Sequence, residues 1–234
     1  MKTIRGETER ILSQAADRIE EYLAERPQAL LALAANDDCL CLYRELAARF
    51  RSGNQSLAQA RFFSATAFAG LAPDDPRSCR MRLKNALLDA VDPLGERTVF
   101  LSEENEADYE ALLSEAGGID LAILGVGERG RVGFNEPGTP FDSPTHRQKL
   151  TKATRRELNG LFGGEESVPD YGCTMGIRTL LGAKEILVIA LGEERADPVF
   201  RMLYARTDSF VPAAFLQLPL QVRLYADEAA AAKL

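Results

Sequence analysis

Residues 121–141, LAILGVGERGRVGFNEPGTPF, lead from an apolar segment directly into a loop rich in glycine and proline. The apolar segment begins at about residue 119 and is continuous rather than alternating. Such a run is typical of a strand that is buried on both faces of a parallel sheet. The loop that follows contains the pattern G-x-G-x-x-G at Gly125, Gly127 and Gly130. This stretch therefore predicts a parallel α/β fold with a candidate binding loop at the end of one strand.

The glycine pattern does not fit a dinucleotide site. In such a site the third glycine opens a helix, whose N-terminus receives the pyrophosphate. Here the chain continues as VGFNEPGTPFDSP, and a segment with three prolines cannot start a long helix at once. No clear strand ends in Asp or Glu about 20 residues later, where a ribose would be held. The sequence therefore predicts no nucleotide, and we expect no cofactor of any other kind.

The rest of the chain alternates segments with helical and strand-like patterns. Predicted helices span about 5–25, 41–51, 77–91, 103–117 and 195–206, and a helical period also covers 151–162 and 173–183. Predicted strands span 29–35, 60–68, 119–127, 185–192 and 221–226. This alternation predicts one α/β domain over residues 1–234, with a mainly parallel sheet between two layers of helices. Ligands of such sheets bind beyond the carboxyl ends of the strands, where 34–39, 66–75, 125–136 and 192–195 are expected to meet.

Charge and composition narrow the range of partners. The net charge of -7 disfavours nucleic acid, because an acidic surface repels a phosphate backbone, and a small anion would need a local basic pocket. No apolar stretch approaches the ~18 residues that span a bilayer, so no membrane partner is expected, and the charged N-terminal segment is typical of an amphipathic helix. The four cysteines (Cys39, Cys41, Cys79, Cys173) lack the spacing of a metal site. We expect them to be reduced thiols of a cytoplasmic protein without a metal.

The loop and the residues downstream of it resemble the glucosamine-6-phosphate deaminase (isomerase) family, which is related to the 6-phosphogluconolactonases. LGVGERGRVGFNEPG is similar to the family's L-G-(I/L)-G-x-D-G-H-(I/L)-A-F-N-E-P-G. VPDYGCTMGIRTLLGAKEILVIALGEERA, VPAAFLQL and LYADEAA match further family segments in the same order, so that the resemblance covers roughly residues 119–230. It implies a three-layer α/β/α sheet of modified Rossmann topology and acid–base chemistry on an amino-sugar phosphate in carbohydrate metabolism.

This chain departs from the family pattern at three elements that the reaction needs. Asn36-Asp37-Asp38-Cys39 replaces the glycine-rich turn that binds the phosphate, and either aspartate is also a candidate N-cap of a helix from about residue 40. Thr66 replaces the aspartate that moves the proton, and an unassisted hydroxyl is no base near neutral pH. Arg129-Gly130-Arg131 replaces D-G-H, and arginine does not give up its proton as histidine does.

Several residues are candidates for taking over the roles of the family's missing acids and bases. The one histidine, His146, is expected to be solvated, and Asp74 and Asp75 are either turn residues or substitutes for the lost acids. Glu136 is the remaining family acid and the one candidate catalytic residue, although arginines beside it would hold it as a structural ion pair. The candidate substrate-binding residues are Arg129, Arg131, Asn135, Arg195, Gly127 and Thr66. We expect the three arginines among them to form a positive cluster at the strand ends.

Three functions remain open on these residues. The first is a glucosamine-6-phosphate isomerase/deaminase-like protein that is catalytically impaired. The second is an active hexosamine-phosphate isomerase/deaminase, or a lactonase-like hydrolase, that uses Glu136 in a rearranged site. The third is a non-catalytic, sugar-phosphate-binding or regulatory subunit. The oligomeric state is open as well, since the family forms both monomers and hexamers.

Overall fold

A computed structural model describes residues 1–234. Its ten strands form one sheet of seven strands and one of three. The strands are β1 (Lys2–Gly6), β2 (Leu30–Leu33), β3 (Arg61–Ser64), β4 (Thr66–Phe68), β5 (Thr98–Val99), β6 (Leu121–Gly125), β7 (His146–Lys149), β8 (Tyr171–Thr174), β9 (Glu185–Ala190) and β10 (Val222–Asp227).

The helices alternate with these strands along the chain. They are α1 (Thr8–Glu25), α2 (Asp37–Arg51), α3 (Cys79–Leu83), α4 (Asp89–Val91), α5 (Tyr109–Glu115), α6 (Lys152–Glu157), α7 (Asn159–Phe162), α8 (Ile177–Leu181) and α9 (Ala196–Tyr204). A π-helical segment, Lys84–Leu88, joins α3 to α4, and short 3₁₀ turns include Glu128–Gly130 and Pro212–Gln217. None of the helices combines the length and the apolarity that crossing a membrane requires.

The large sheet has the strand order β1-β10-β9-β6-β2-β3-β5, and every neighbouring pair is parallel. The chain moves outward from β2 through β3 to β5, and from β6 through β9 to β10 in the other direction. The order therefore reverses between β2 and β6, where Leu33 pairs with Ile123. Such a reversal opens a crevice beyond the carboxyl ends of the two strands. The sequence patterns behind this sheet are simple, because β6 and β9 are continuous apolar runs that are buried at every residue.

Helices flank the sheet, and the predicted α/β fold with a mainly parallel sheet is confirmed. Helix α1 shows why the packing follows from sequence: its buried residues are Ile11, Ala15, Ala16, Ile19, Tyr22 and Leu23. This spacing places them on one face of a helix, the face that contacts α2 and β10. Together with the strands they belong to one cluster of 64 buried apolar residues, which holds the strand ends in fixed positions around the crevice.

Several predicted elements differ from the structure, mostly where polar residues form strands. The predicted helix over 5–25 begins only at Thr8, because residues 2–6 form an edge strand beside β10. The small antiparallel sheet β4-β8-β7 is not predicted as a sheet: β4 lies at the end of the predicted strand 60–68, but 146–149 is expected to be loop and a helical period is assigned from 173 onward. Strand β7 reads HRQK and carries no apolar signal. Helix α2 begins at residue 37, since Asp37 and Asp38 suit the first turn of a helix.

Candidate functional site

A small pocket lies beyond the carboxyl ends of β2 and β6, at the point where the strand order reverses. Its walls come from 34–36, 66–68, 125–134 and residue 195, so the four segments meet there as expected, and α3 and α6 complete the enclosure. The polar side chains that line it are those of Asn36, Thr66, Cys79, Arg82, Arg131, Glu157 and Arg195. The enclosed space is about 50 Å³. That volume holds a few water molecules, whereas small-molecule pockets typically measure ~300 Å³ or more.

The glycines of the G-x-G-x-x-G pattern make room for the chain's own side chains. A Cβ atom on Gly125 would lie 2.1 Å from Asn36 Nδ2, and one on Gly127 would lie 2.6 Å from Arg131 Nη2. Gly130 has a φ of 77°, which a residue with a side chain rarely adopts. Gly127, a candidate binding residue, thus permits the Arg131 guanidinium to lie against the backbone. The pattern is accounted for without a nucleotide.

Four charged side chains form a continuous chain of ion pairs across the pocket. Glu157, at the end of α6, places Oε2 2.9 Å from Arg131 Nη2 and Oε1 2.9 Å from Arg195 Nη1. Arg195 Nε in turn lies 3.1 Å from Asp38 Oδ2. We call these residues (Arg131, Glu157, Arg195 and Asp38) the ion-pair chain. It carries two positive and two negative charges, so the expected positive cluster is neutralised by the protein itself.

The electrostatics of the ion-pair chain keep Glu157 ionised. Burial raises the pKa of its carboxyl, but Arg131, Arg195 and the amide of Glu128 outweigh burial and lower the pKa below its usual range. Burial likewise opposes the charge on Arg195, yet Asp38 and Glu157 raise its pKa overall. Glu128 N donates to Glu157 Oε2 at 3.2 Å. The Glu157 carboxylate therefore accepts hydrogen bonds from two guanidiniums and one main-chain amide, which is the environment of a bound anion.

Asp38 occupies the first turn of α2, where the resemblance predicted a weakened phosphate turn. Its side chain is only 7% exposed, and it accepts hydrogen bonds from Arg195 Nε and from Leu191 N at 3.4 Å. Burial raises the pKa of Asp38 to about 6, although Arg195 opposes this rise. Its neighbour Asp37 is exposed and pairs with Arg82. The N-cap is Asn36, so neither aspartate is the cap that the sequence suggested.

The raised pKa of Asp38 gives a testable pH dependence. The folded chain holds this proton up to about pH 6, while the unfolded chain releases it near pH 3.8, the ordinary pKa of an aspartate. Stability from this group therefore falls as the pH rises from about 4 to above 6. Relative to Asp38→Asn, the free energy of unfolding of the wild type should fall by about 1–2 kcal/mol from pH 5 to pH 8. Urea unfolding at both pH values measures it, with Asp37→Asn as the control for loss of a charge at this helix end. A wild type–Asp38→Asn difference that does not change with pH would contradict the expectation.

Glu136 and Asn135 lie just outside the pocket lining, in contact with other elements. Glu136 is buried, and its two oxygens accept hydrogen bonds from Thr151 N at 3.1 Å and Thr151 Oγ1 at 3.2 Å. It has no ion pair with an arginine; the carboxylate held between arginines is Glu157. Asn135 is fully buried, and its Nδ2 donates to Val132 O and Met175 O, both at 2.9 Å. Both residues thus fasten the 126–136 loop to its surroundings.

The remaining candidate binding residues divide between the pocket and the surface. Thr66 lines the pocket and donates a hydrogen bond to Cys79 Sγ at 3.5 Å, and no carboxylate or histidine contacts its hydroxyl. Arg129 is exposed at a φ of 60° and does not join Arg131 and Arg195. The predicted cluster of three arginines therefore contains two of its members. Arg82 is the third arginine of the pocket, and its Nη1 donates to Ala35 O at 2.7 Å.

His146, Asp74 and Asp75, the candidates for replacing the family's acids and bases, lie outside the pocket. His146 is in β7, where its ring nitrogens lie 2.8 Å from Pro144 O and 3.3 Å from Gln148 Oε1. Asp75 binds Arg77, and Asp74 is exposed, so this pair follows the expected turn chemistry. No group of three or more His, Cys, Asp or Glu side chains is close enough to hold a metal ion. None of these residues lines the pocket.

Four of the seven polar residues that line the pocket were not among the candidate site residues: Asn36, Cys79, Arg82 and Glu157. Glu157 lies in TKATRRELNGLF, where its basic neighbours drew attention to positive charge. The available signal was a single acid among the basic residues of a short helical segment. Arg82 carries no such signal, because a basic residue on a helix is usually in solvent.

Comparison with known proteins agrees with this architecture. The chain is 36% identical over 228 residues to the glucosamine-6-phosphate deaminase of Halalkalibacterium halodurans, covering 94% of this chain and 92% of that protein. It is 38% identical over 228 residues to the deaminase of Rhodopirellula baltica, covering 95% and 91%. Comparison with models of protein families gives no match.

Solved structures give the same result. A monomeric glucosamine-6-phosphate deaminase of the NagB superfamily superposes over 100% of both chains, with a TM-score of 0.94 and 31% identity. The 6-phosphogluconolactonase of Leishmania guyanensis, at 18% identity and a TM-score of 0.78 over 98% and 97% of the chains, shares the fold. Sequence identity above 30% over nearly the whole length of both chains, together with this superposition, decides the relationship. The chain belongs to the glucosamine-6-phosphate deaminase family.

Proposed function

We propose that the chain is a catalytically impaired member of its family, which binds a small organic anion of the sugar-phosphate class and does not deaminate it. One observation carries this proposal. The pocket is lined by three arginines and a single carboxylate, that of Glu157, which two of those arginines hold. A site of this composition is suited to binding an anion rather than to moving protons.

The deaminase reaction needs groups that exchange protons with the substrate. The ring of the amino-sugar phosphate must open, a proton must pass between C2 and C1, and ammonia must leave. A general base or acid placed in the pocket would supply these transfers, each typically worth ~10²–10⁴ in rate. Thr66 has only the Cys79 thiol as a partner, and Arg131 remains protonated. Glu157 is a poor base, because its arginine partners lower its pKa.

The capacity to bind an anion is supported by the same side chains. Arg82, Arg131 and Arg195 line one pocket and come from three different parts of the chain. Arginine forms short, charge-assisted hydrogen bonds to phosphoryl and carboxylate oxygens. Three guanidiniums thus meet in one pocket of a chain whose net charge is -7, where they pair with the carboxylates of Glu157, Asp38 and Asp37. Its relatives, named for glucosamine 6-phosphate, suggest the chemical class of that anion.

An active enzyme that uses Glu136 is the second candidate function. Glu136 is the one family acid that this sequence retains, and it is buried near the pocket. Both of its oxygens are engaged by Thr151 at the start of α6, so we interpret it as a support for that helix. Glu136→Gln separates the two roles, because glutamine keeps one acceptor oxygen for Thr151 while it removes a catalytic carboxylate.

The test is ammonia release from glucosamine 6-phosphate, measured in parallel with the Halalkalibacterium halodurans relative. We expect a rate at least about 10²-fold below that of the relative, since more than one proton-transferring group is missing. The sugar phosphate should nevertheless raise the melting temperature of the wild type, and Arg131→Ala should abolish that rise. Turnover close to that of the relative, abolished in a folded Glu136→Gln variant, would establish the active enzyme instead.

A further inference from the structure

We propose that Glu157 is an internal ligand of the anion site, so that an external tetrahedral oxyanion binds only in exchange for it and loosens the C-terminal end of α6. This inference rests on the proposed anion-binding function and identifies what that site holds before its ligand arrives. The occupant is part of the chain itself, carried on the element that covers the pocket.

Three hydrogen-bond donors from other parts of the chain converge on the Glu157 carboxylate. Arg131 Nη2, Arg195 Nη1 and Glu128 N all donate to its oxygens, at 2.9, 2.9 and 3.2 Å. These donors come from the loop after β6 and the turn after β9, so the sheet positions them independently of α6. The Arg131 and Arg195 side chains are only 10% and 16% exposed. A ligand oxyanion would find the same donors if Glu157 were absent.

One hydrogen-bond donor of the Arg131 guanidinium has no acceptor, and this favours a ligand with more oxygens than a carboxylate has. Arg131 Nε is buried and has no hydrogen-bond partner. A buried guanidinium N–H without an acceptor is costly, and folded proteins generally avoid it. The Glu157 carboxylate offers two oxygens to this site, whereas a terminal phosphoryl group offers three. The additional oxygen makes a tetrahedral oxyanion the better match for two guanidiniums that present several donors each.

Both the volume of the pocket and its charge balance indicate that an external anion can bind only when Glu157 leaves. The space left beside Glu157 is about 50 Å³, which is too small for a sugar phosphate. With Glu157 in place, its charge and that of Asp38 balance Arg131 and Arg195. When Glu157 leaves, these three residues carry a net charge of one positive unit. The Glu157 side chain is 18% exposed, so its carboxylate has a route to solvent.

Displacement of Glu157 would loosen the C-terminal end of α6. Glu157 is the last residue of this six-residue helix. The first turn stays attached through Thr151 and Glu136, and Arg155 binds Asp170 at 2.7 Å. Loss of the Glu157 contacts therefore removes the ion pairs that tie the last residue of α6 to Arg131 and Arg195, while Thr151 and Arg155 keep their own contacts. Leu158, the next residue, also lines the pocket and would move with it.

The experiment measures binding of inorganic phosphate by isothermal titration calorimetry at low salt. Glu157→Gln removes the competing charge and keeps the size of the side chain, and we expect it to bind phosphate at least tenfold more tightly than the wild type. The matched control is Glu166→Gln, a fully exposed glutamate of the same segment, which should bind as the wild type does. Adding Arg131→Ala to Glu157→Gln should abolish the gain. Equal phosphate affinities of wild type and Glu157→Gln would overturn the proposal.

A second measurement uses the unmodified chain, in case Glu157→Gln folds poorly. Saturating phosphate should increase amide hydrogen exchange at the C-terminal end of α6 in the wild type and leave α9 unchanged. Unaltered or slower exchange in α6 would overturn the proposal. Phosphate binding does not depend on catalysis. Ammonia release from glucosamine 6-phosphate would therefore refute only the proposal that the chain is catalytically impaired, and not the exchange of Glu157 for an anion. Absence of phosphate binding by every variant would refute the anion site and the exchange together.

Discussion

Arg195→Ala is expected to lower the free energy of unfolding by about 3–5 kcal/mol, because it leaves the buried carboxylate of Asp38 and the partly buried carboxylate of Glu157 without their shared partner. Asp38 would keep only the amide of Leu191, and Glu157 would keep Arg131 and the amide of Glu128. An unpaired carboxylate in a buried position must either become protonated or disturb its surroundings. Urea unfolding at pH 7.5, where Asp38 is ionised, measures the loss.

Two further variants separate this cause from a general loss of packing. Arg195→Ala combined with Asp38→Asn should recover a large part of the stability, because the second change removes the charge that the first left unpaired. Arg201→Ala, in the exposed pair with Asp197 on α9, is the matched control and should cost about 0.5 kcal/mol or less. If the double variant is as unstable as Arg195→Ala, the ion-pair chain does not explain the loss.

Asn135→Ala is expected to lower the free energy of unfolding by about 2–4 kcal/mol. Asn135 is fully buried, and its amide bridges the carbonyls of Val132 and Met175, one in its own loop and one after β8. Removal deletes both of these hydrogen bonds and creates a cavity, while Val132 O keeps Asn135 N and Met175 O keeps Thr174 Oγ1 as donors. Chemical denaturation measures the change, and the exposed Asn159→Ala serves as the control, with an effect of about 0.5 kcal/mol or less.

The Asn135→Ala result also bears on how this residue is interpreted. As a candidate binding residue from the sequence, Asn135 would lower ligand affinity when changed and leave stability nearly intact. The structure instead places its amide between two main-chain carbonyls, so the main effect should be on unfolding. A stable Asn135→Ala variant with lost phosphate binding would favour the ligand-contact role.

Much of the fold follows from local sequence patterns. Strands β6 and β9 are continuous apolar runs and were predicted directly, and α1 is visible in the spacing of its apolar residues. Strand β7, with the sequence HRQK, escaped prediction because its stability comes from pairing with β8 and not from its own side chains. Edge strand β1 depends in the same way on β10, more than 200 residues away in sequence.

The sequence indicated which segments surround the pocket but not which charged side chains pair with one another there. The family motif and the strand ends correctly indicated which segments meet, because both are properties of neighbouring residues in the sequence. The partner of each charged side chain is decided by tertiary geometry instead. A carboxylate held between arginines was anticipated at Glu136, and the structure puts Glu157 there. Arg129, which directly precedes Gly130, is exposed and has a left-handed backbone conformation.

The three-stranded sheet β4-β8-β7 has a consequence for redesign. Thr174 of β8 is the register partner of both Thr66 and His146, and its hydroxyl accepts a hydrogen bond from Phe134 N. A Cβ atom on Gly133 would lie 2.7 Å from that hydroxyl and 3.3 Å from Thr66 Cγ2. The side chain at position 66 is therefore packed against β8 and against the 126–136 loop, which carries Arg131. An aspartate introduced at position 66 would therefore have to fit against Thr174, Gly133 and the Cys79 thiol, so changes at neighbouring positions would be needed to accommodate it.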